Sequence, residues 1–438
     1  MEKWFGKKMA VAGVVAIALV LSTYSASGSL SRTQTKVKLT YQVPNGDTEI
    51  KVAHALVDAF TATHKNVTIQ IETPGGGAGA ANFVQTELAT GTMTDMFSFN
   101  SGANILALDP VKTLVNLAGA PFLRNVLPAF KQTVSVGREV FGVPTGTAMG
   151  GGILYNKRVY ANLSLKVPKT WAQFESNNAV IKAAGLVPVI QTYGDAWTSQ
   201  LLVLADFGNV TSVEPDWAAR YTANKTSFES DPVALKGFER LAEIYSQGYM
   251  NKDFGSAKLD DGLKMLADGT GVQYPMLTFA GASLIANYPK SANDLGFFAQ
   301  PGDNAAKNVM TSWMPRAIYI PKATTGAKLV AAKEFVGFVA SVKGCDVQTK
   351  AVGVTGPYLV KGCALPTDVP GYIADMLPYF QHAGRVSPAL EFVSPVRGAA
   401  GQDFTVGVGS GLMSAQQGAH LWDLDVAKQA KQLGLKGW

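Results

Sequence analysis

Arg138–Lys157 reads REVFGVPTGTAMGGGILYNK. It parses as a short strand, a Pro144-Thr145-Gly146 break, the run Gly150-Gly151-Gly152, a second apolar strand, and Tyr155-Asn156-Lys157. Glycines and a proline this dense mark a place where a chain turns sharply or comes very close to something else. Two readings fit. The chain crosses here from one lobe of a two-lobed molecule to the other, or it makes an ordinary hairpin with a loose turn.

Upstream, Lys36–Tyr41 alternates polar and apolar residues as a half-buried strand does. The loop Val43–Asp47 follows, then a predicted helix from about Thr48 with Ile50, Ala53, Val57 and Phe60 as its stripe and Asp47 as its N-cap. Val67–Ile71 is a second strand. Strand, helix and strand in this order predict parallel pairing, and ligands of such sheets sit beyond the carboxyl ends of the strands. The loop Asn45–Asp47 lies at that end. The cluster Pro74-Gly75-Gly76-Gly77 lacks the Gly-Lys-Ser/Thr ending of a phosphate loop, so a flexible connection is expected there. A helix over about 80–90 closes at Gly91, and the strand Met96–Phe99 delivers Asn100, Ser101 and Gly102. Downstream, Thr170 is expected to cap a helix with Trp171 in the core, and the strand Val187–Ile190 leads into Gln191–Trp197. Helical stripes recur at Leu235, Phe238, Leu241 and Tyr245, and at Leu329, Ala332, Phe335 and Val339.

At 438 residues the chain exceeds one compact core, and about two domains are expected. Apolar residues at 47% against 16% charged exclude general disorder. Lys3, Lys7 and Lys8, the uncharged run Met9–Leu21 and Ser25-Ala26-Ser27-Gly28 follow the plan of a secretory signal over residues 1–28, the run being short of the about 20 residues a membrane span needs. Export is therefore expected. The formal charge of +6 becomes +4 without those lysines and Glu2, and no dense basic run suggests nucleic acid. Cys345 and Cys363 could form one disulfide in an oxidising compartment, and two cysteines define no metal site. Enzyme signals are poor. His54, His64, His382 and His420 lack metalloprotease spacing, no G-x-S-x-G elbow occurs, and Asp47, Glu49 and Asp195 are carboxylates that no spacing pairs.

Several segments in order resemble one family. Phe141-Gly142, Pro144 and Tyr155-Asn156-Lys157 match its crossover pattern; Ala89–Phe97 its approach to the third strand, with Thr94 in place of proline; and Val167–Phe174 its "P-x-T-W-x-E-F", with Gln173 for glutamate. Leu266–Thr270, Asp294–Gly302 and Ala317–Lys322 complete the series. The chain from Lys36 onward thus resembles the extracellular solute-binding proteins of family 1, the carbohydrate-binding subunits of ABC importers. The resemblance implies an α/β, two-lobed periplasmic-binding-protein-like fold of maltose-binding-protein-like topology, with the ligand cleft between the lobes. It implies lobe 1 over 36–145 plus 319–345, lobe 2 over 150–313 plus 352–438, and hinge crossovers at 144–149 and 314–321. The implied protein is a monomer without a cofactor that captures a sugar and delivers it to a membrane permease. The alternatives are an extracellular glycan hydrolase and a receptor for a charged non-sugar solute. No lipobox cysteine follows the apolar run, so the chain is expected to be soluble or held by an uncleaved signal helix.

A sugar site needs aromatic faces beside polar groups matched to hydroxyls. Trp197 is the stacking candidate and Asp195 the hydroxyl acceptor, although Trp197 could equally open a helix and pack inward. By resemblance, Asn45, Asp47, Asn100 and Ser101 reach the cleft from the first and third strands, and Thr147 from the crossover. Asp47 competes with its capping role, and both asparagines are ordinary turn residues. Phe279 stands where relatives place a tryptophan, which leaves the stacking geometry and the sugar open. Trp313 and Arg316 flank the return crossover; Arg316 could bind hydroxyls or an acidic sugar, or be a solvated or interlobe charge. Tyr274 is a further aromatic candidate.

Overall fold

A computed structural model describes residues 35–74 and 80–438. The signal reading over 1–28 and the glycines after Pro74 lie outside the described residues. Strand β1 (Val37–Gln42) buries Val37, Leu39 and Tyr41 while Lys38 faces solvent, as its alternation requires. The helix Asp47–Thr61 carries the chain to β2 (Val67–Glu72), which pairs with β1 in parallel, and buries Ala53, Leu56, Val57 and Phe60 on the way. Asp47 is not its N-cap: Gly46 holds that position, without a side-chain cap, and Asp47 is the exposed first helical residue. The helix Ala80–Thr90 ends at Gly91, whose φ of +71° favours glycine. Strand β3 (Met96–Phe99) then returns parallel to β1.

The decisive stretch behaves as a crossing. After a small hairpin, β4 (Ser135–Val136) with β5 (Glu139–Val140), β6 (Gly142–Thr145) completes one sheet and β7 (Met149–Asn156) opens another. Gly146 between them has φ +87°. The glycine run has a different cause. A Cβ at Gly151 would lie 2.1 Å from Cζ3 of Trp313, so the bare backbone of β7 is the floor on which that indole packs.

Around β7 gather β8 (Val187–Val189), β9 (Gly271–Leu277), β10 (Leu295–Ala299) and β11 (Met310–Trp313). Only Met314 and Pro315 separate β11 from β12 (Arg316–Tyr319), which lies back in the first sheet. A last strand, β13 (Val386–Pro388), pairs with β11. The sheets are thus β2-β1-β3-β12-β6 and β13-β11-β7-β9-β8 with β10 also on β7, so the protein is a two-lobed α/β molecule.

The hydrophobic cores follow the sheets. One draws on residues from Val37 to Ala148 and from Ala317 to Leu359. Two adjoining clusters draw on Ile153 to Trp313 and Tyr372 to Ala430. The expected switch at 345–352 therefore falls too early. The helix Val342–Val352 packs on Asp47–Thr61, and Leu127 N donates to Leu359 O at 2.8 Å. Cys345 is bonded to Cys363 within this first-lobe segment. The helix Gly371–Gln381 is the next element, and it packs on β10 in the second lobe.

Elsewhere Thr170 caps its helix by accepting from Gln173 N at 3.3 Å, and Trp171 is buried as expected. In the helix Lys236–Ser246 the stripe shifts by one: Ile244 is buried and Tyr245 is exposed.

Candidate functional site

Both sheets turn the same kind of edge toward the crossovers. In the first, β1 and β3 end there, β6 ends there at Thr145, and β12 starts there at Arg316. In the second, the carboxyl end of β9 lies beside the start of β7, since Leu277 pairs with Gly151, and the end of β11 does the same, since Trp313 pairs with Met149. β8 runs parallel to β9, so the loop after it opens on that edge too. The loops at these edges therefore border the space between the lobes.

On the first-lobe edge Asn45 and Asp47 are exposed and Asn100 is half-buried. The backbone carbonyl of Asn100 accepts from the Tyr319 hydroxyl at 3.1 Å, which fixes the loop and leaves the carboxamide uncommitted. Ser101 is different. It is buried, and its Oγ donates to Pro315 O at 3.0 Å. Two residues separate Arg316 from the end of the second-sheet strand at Trp313. Its carbonyl accepts from Thr145 Oγ1 at 3.3 Å, but among the described residues its guanidinium has no hydrogen-bond or ion-pair partner. Burial pulls its pKa below the usual arginine value, with Glu49, Tyr41 and Tyr319 pulling the other way. Glu49 does not close the pair: its Oε2 folds back to within 2.3 Å of where a Cβ on Gly46 would lie.

On the second-lobe edge Trp197, in the 3-10 turn Ala196–Gln200, and Phe279, first residue of the helix Phe279–Asn287, are both half-buried. Their ring centroids are 6.1 Å apart and their planes 35° apart, so the two aromatic candidates form one tilted pair. Asp195 holds this loop in place, its Oδ2 accepting from Leu259 N at 2.8 Å at the start of the helix Leu259–Asp268. One carboxylate oxygen is thereby used.

Three candidates belong to the framework instead. Trp313 is 6% exposed with its ring against Gly151, and is a core residue rather than a cleft wall. Tyr274 is fully buried with its hydroxyl 2.6 Å from Thr192 Oγ1. Thr147 is buried, shares a 2.7 Å hydrogen bond with Thr355 Oγ1 and accepts from Thr355 N at 3.1 Å, so it joins two chain segments at the hinge.

The sequence reading missed Glu391 and Arg397. They form an ion pair in and after the short helix Leu390–Val393, and both meet Asn104 from the first lobe. No motif marks them, because their role depends on a fold that brings residue 104 to residue 391. Among the described residues no cluster of histidine, cysteine, aspartate or glutamate could hold a metal.

Two α/β lobes joined at several crossovers, with aromatic and polar loops on facing sheet edges, define a protein that binds a ligand between its halves. Residues 46–344 match the profile of the bacterial extracellular solute-binding proteins, and the chain belongs to that family. It is similar to the multiple sugar-binding protein of Streptococcus mutans, 22% identical over 366 residues that cover 81% of this chain and 84% of the relative. Among solved structures, a chitin oligosaccharide binding protein superposes with a TM-score of 0.79 at 17% identity, covering 90% of this chain and 99% of that one. The solute-binding protein RafE in complex with raffinose gives 0.74 at 20% identity, covering 90% and 100%.

Proposed function

We propose that this protein captures a carbohydrate between its lobes and hands it to the membrane permease of an ABC importer. The observation that carries the reading is the division of labour across the facing edges. Trp197 and Phe279 offer an accessible aromatic surface on one side, and Arg316, Asn100 and Asn45 offer unspent polar groups on the other. A pyranose has an apolar C–H face and a polar rim, and such a pair of walls matches both. The names of the relatives support a sugar as the solute. A ligand that touches both walls stabilises the closed form, and that differential contact drives hinge closure. On this reading the lobes are 36–145 with 316–363, and 149–313 with the chain after about 370. No covalent step is involved and a monomer suffices. The disulfide Cys345–Cys363 suits an oxidising, extracytoplasmic location, in keeping with the leader reading.

The test is a fluorescence or calorimetric titration with raffinose, N,N′-diacetylchitobiose and galactose. A saturable signal without product on long incubation is expected, and Trp197→Ala should weaken binding about tenfold or more, in line with about 1–3 kcal/mol for losing one stacking ring. Unchanged affinity in that variant removes the stacking role. The unpaired Arg316 favours a second reading, a sugar bearing a carboxylate, which its planar fork would hold bidentately. Galacturonate binding in preference to galactose distinguishes it.

A further inference from the structure

We propose that Asn104 is the tongue of a latch that holds the two lobes shut. Asn104 lies in the 3-10 helix Gly102–Leu108, which directly follows β3 in the first lobe. Its carboxamide reaches across to the second lobe and is read at both ends. Nδ2 donates to Glu391 Oε2 at 3.2 Å, and Oδ1 accepts from Arg397 Nη1 at 3.2 Å. Glu391 and Arg397 are already paired with each other, so the amide inserts into a preformed ion pair whose two charges match its two polarities. An amide is suited to this place because a carboxylate would repel Glu391 and an ammonium would repel Arg397.

The backbones meet at the same point. Gly102 has φ +76°, and a Cβ there would fall 2.5 Å from Glu391 O and 2.7 Å from Cδ1 of Phe392. The first-lobe turn is thus seated directly on the helix Leu390–Val393. That helix belongs to the second lobe: Ala389 N donates to Ser312 O at 2.9 Å, and Ser394 Oγ lies 2.8 Å from Thr222 Oγ1. At this contact both side-chain bonds between the lobes belong to Asn104, whereas the Glu391–Arg397 pair is internal to the second lobe. Removing the amide therefore loosens this contact without dismantling either lobe. For a binding protein that works by closure, such a bond sets how much of the empty protein is already closed, and so scales the apparent affinity for any solute.

The experiment uses the full chain with no solute present. Small-angle scattering and amide hydrogen exchange are compared for the wild type, Asn104→Ala and Glu391→Gln. Asn104→Ala should enlarge the radius of gyration and lower exchange protection in segments 102–108 and 389–394 about tenfold, equivalent to about 1.4 kcal/mol. Glu391→Gln keeps the shape of the acceptor but not its charge, and should fall between the two. Unchanged scattering and exchange in a folded Asn104→Ala protein overturns the latch, as does loosening that spreads over one whole lobe. The inference needs two lobes but no particular solute. Failure of every sugar to bind leaves it standing, and failure of the latch leaves the carbohydrate reading standing.

Discussion

Replacing Arg316 by methionine should move stability and binding in opposite directions. The guanidinium is half-buried at the head of β12, and among the described residues nothing accepts any of its N–H groups. Taking an ion partly out of water without a partner costs several kcal/mol at full burial, and replacing such charges by apolar groups of similar volume is often stabilising. Water on the open side of the cleft removes much of that penalty, so the empty Arg316→Met protein should gain about 1–2 kcal/mol. In a chain of this length that is a rise in Tm of about 1–2 °C. The ligand-bound protein should respond differently. Hydrogen bonds to a charged group contribute about 1.5–3 kcal/mol each, so losing one weakens solute binding about 10- to 150-fold. Thermal unfolding without ligand and calorimetric titration with the best-binding sugar measure the two effects. A variant that loses stability and keeps its affinity would refute the reasoning, because it would make Arg316 a structural charge.

Three further outcomes follow from the packing. Changing Cys345 and Cys363 together to serine should cost about 3 kcal/mol, the loop-closure value for their separation of 18 residues, read from denaturant midpoints. Gly151→Ala puts a methyl group into the Trp313 ring at 2.1 Å and should destabilise the second lobe by about 3 kcal/mol or more, with loss of Trp313 near-ultraviolet dichroism as the local readout. The Glu175 carboxyl is pushed up from 4.5 to about 7, mainly by burial and further by Glu243, against a hydrogen bond from Asn178. Between these values the folded carboxyl holds a proton that the unfolded one has released, so this contribution to stability is present in acid and lost as the pH rises through about 7. With solvent screening it amounts to about 1–2 kcal/mol, and Glu175→Gln should flatten the pH profile of unfolding over that window.

What the sequence disclosed depended on the range of the interaction. β1, β3 and the helix Asp47–Thr61 are written in local periodicity, and the crossing at Pro144–Gly152 in the density of its glycines. The pairing of Trp197 with Phe279 was not written there: both residues stood out singly, but 82 positions separate them and only the shared edge of β8 and β9 unites them. Trp313 was misread for a related reason. A tryptophan beside a crossover looks like a cleft wall until the bare backbone of Gly151 is seen beneath it. Asn104, Glu391 and Arg397 carried no signal, because a carboxamide gains meaning only from the two charges that face it.

The hydroxyls that looked like ligand contacts reveal how the hinge is built. Ser101 Oγ ties the end of the β3 loop to Pro315 in the return crossover, and Thr147 ties the outgoing crossover to Thr355. Thr278 accepts from Gly150 N at 3.1 Å and donates to Thr355 O at 2.7 Å, adding the second lobe to the same line. Each hydroxyl is spent on a neighbouring crossover, so the segments form a bonded seam about which only a few backbone torsions need to turn. The Arg316 guanidinium and the Trp197 and Phe279 rings lie beside that seam and make none of its hydrogen bonds. A cleft that closes on a solute requires this separation: groups that hold the axis must be satisfied in every state, and groups that hold the ligand must be left incomplete until it arrives.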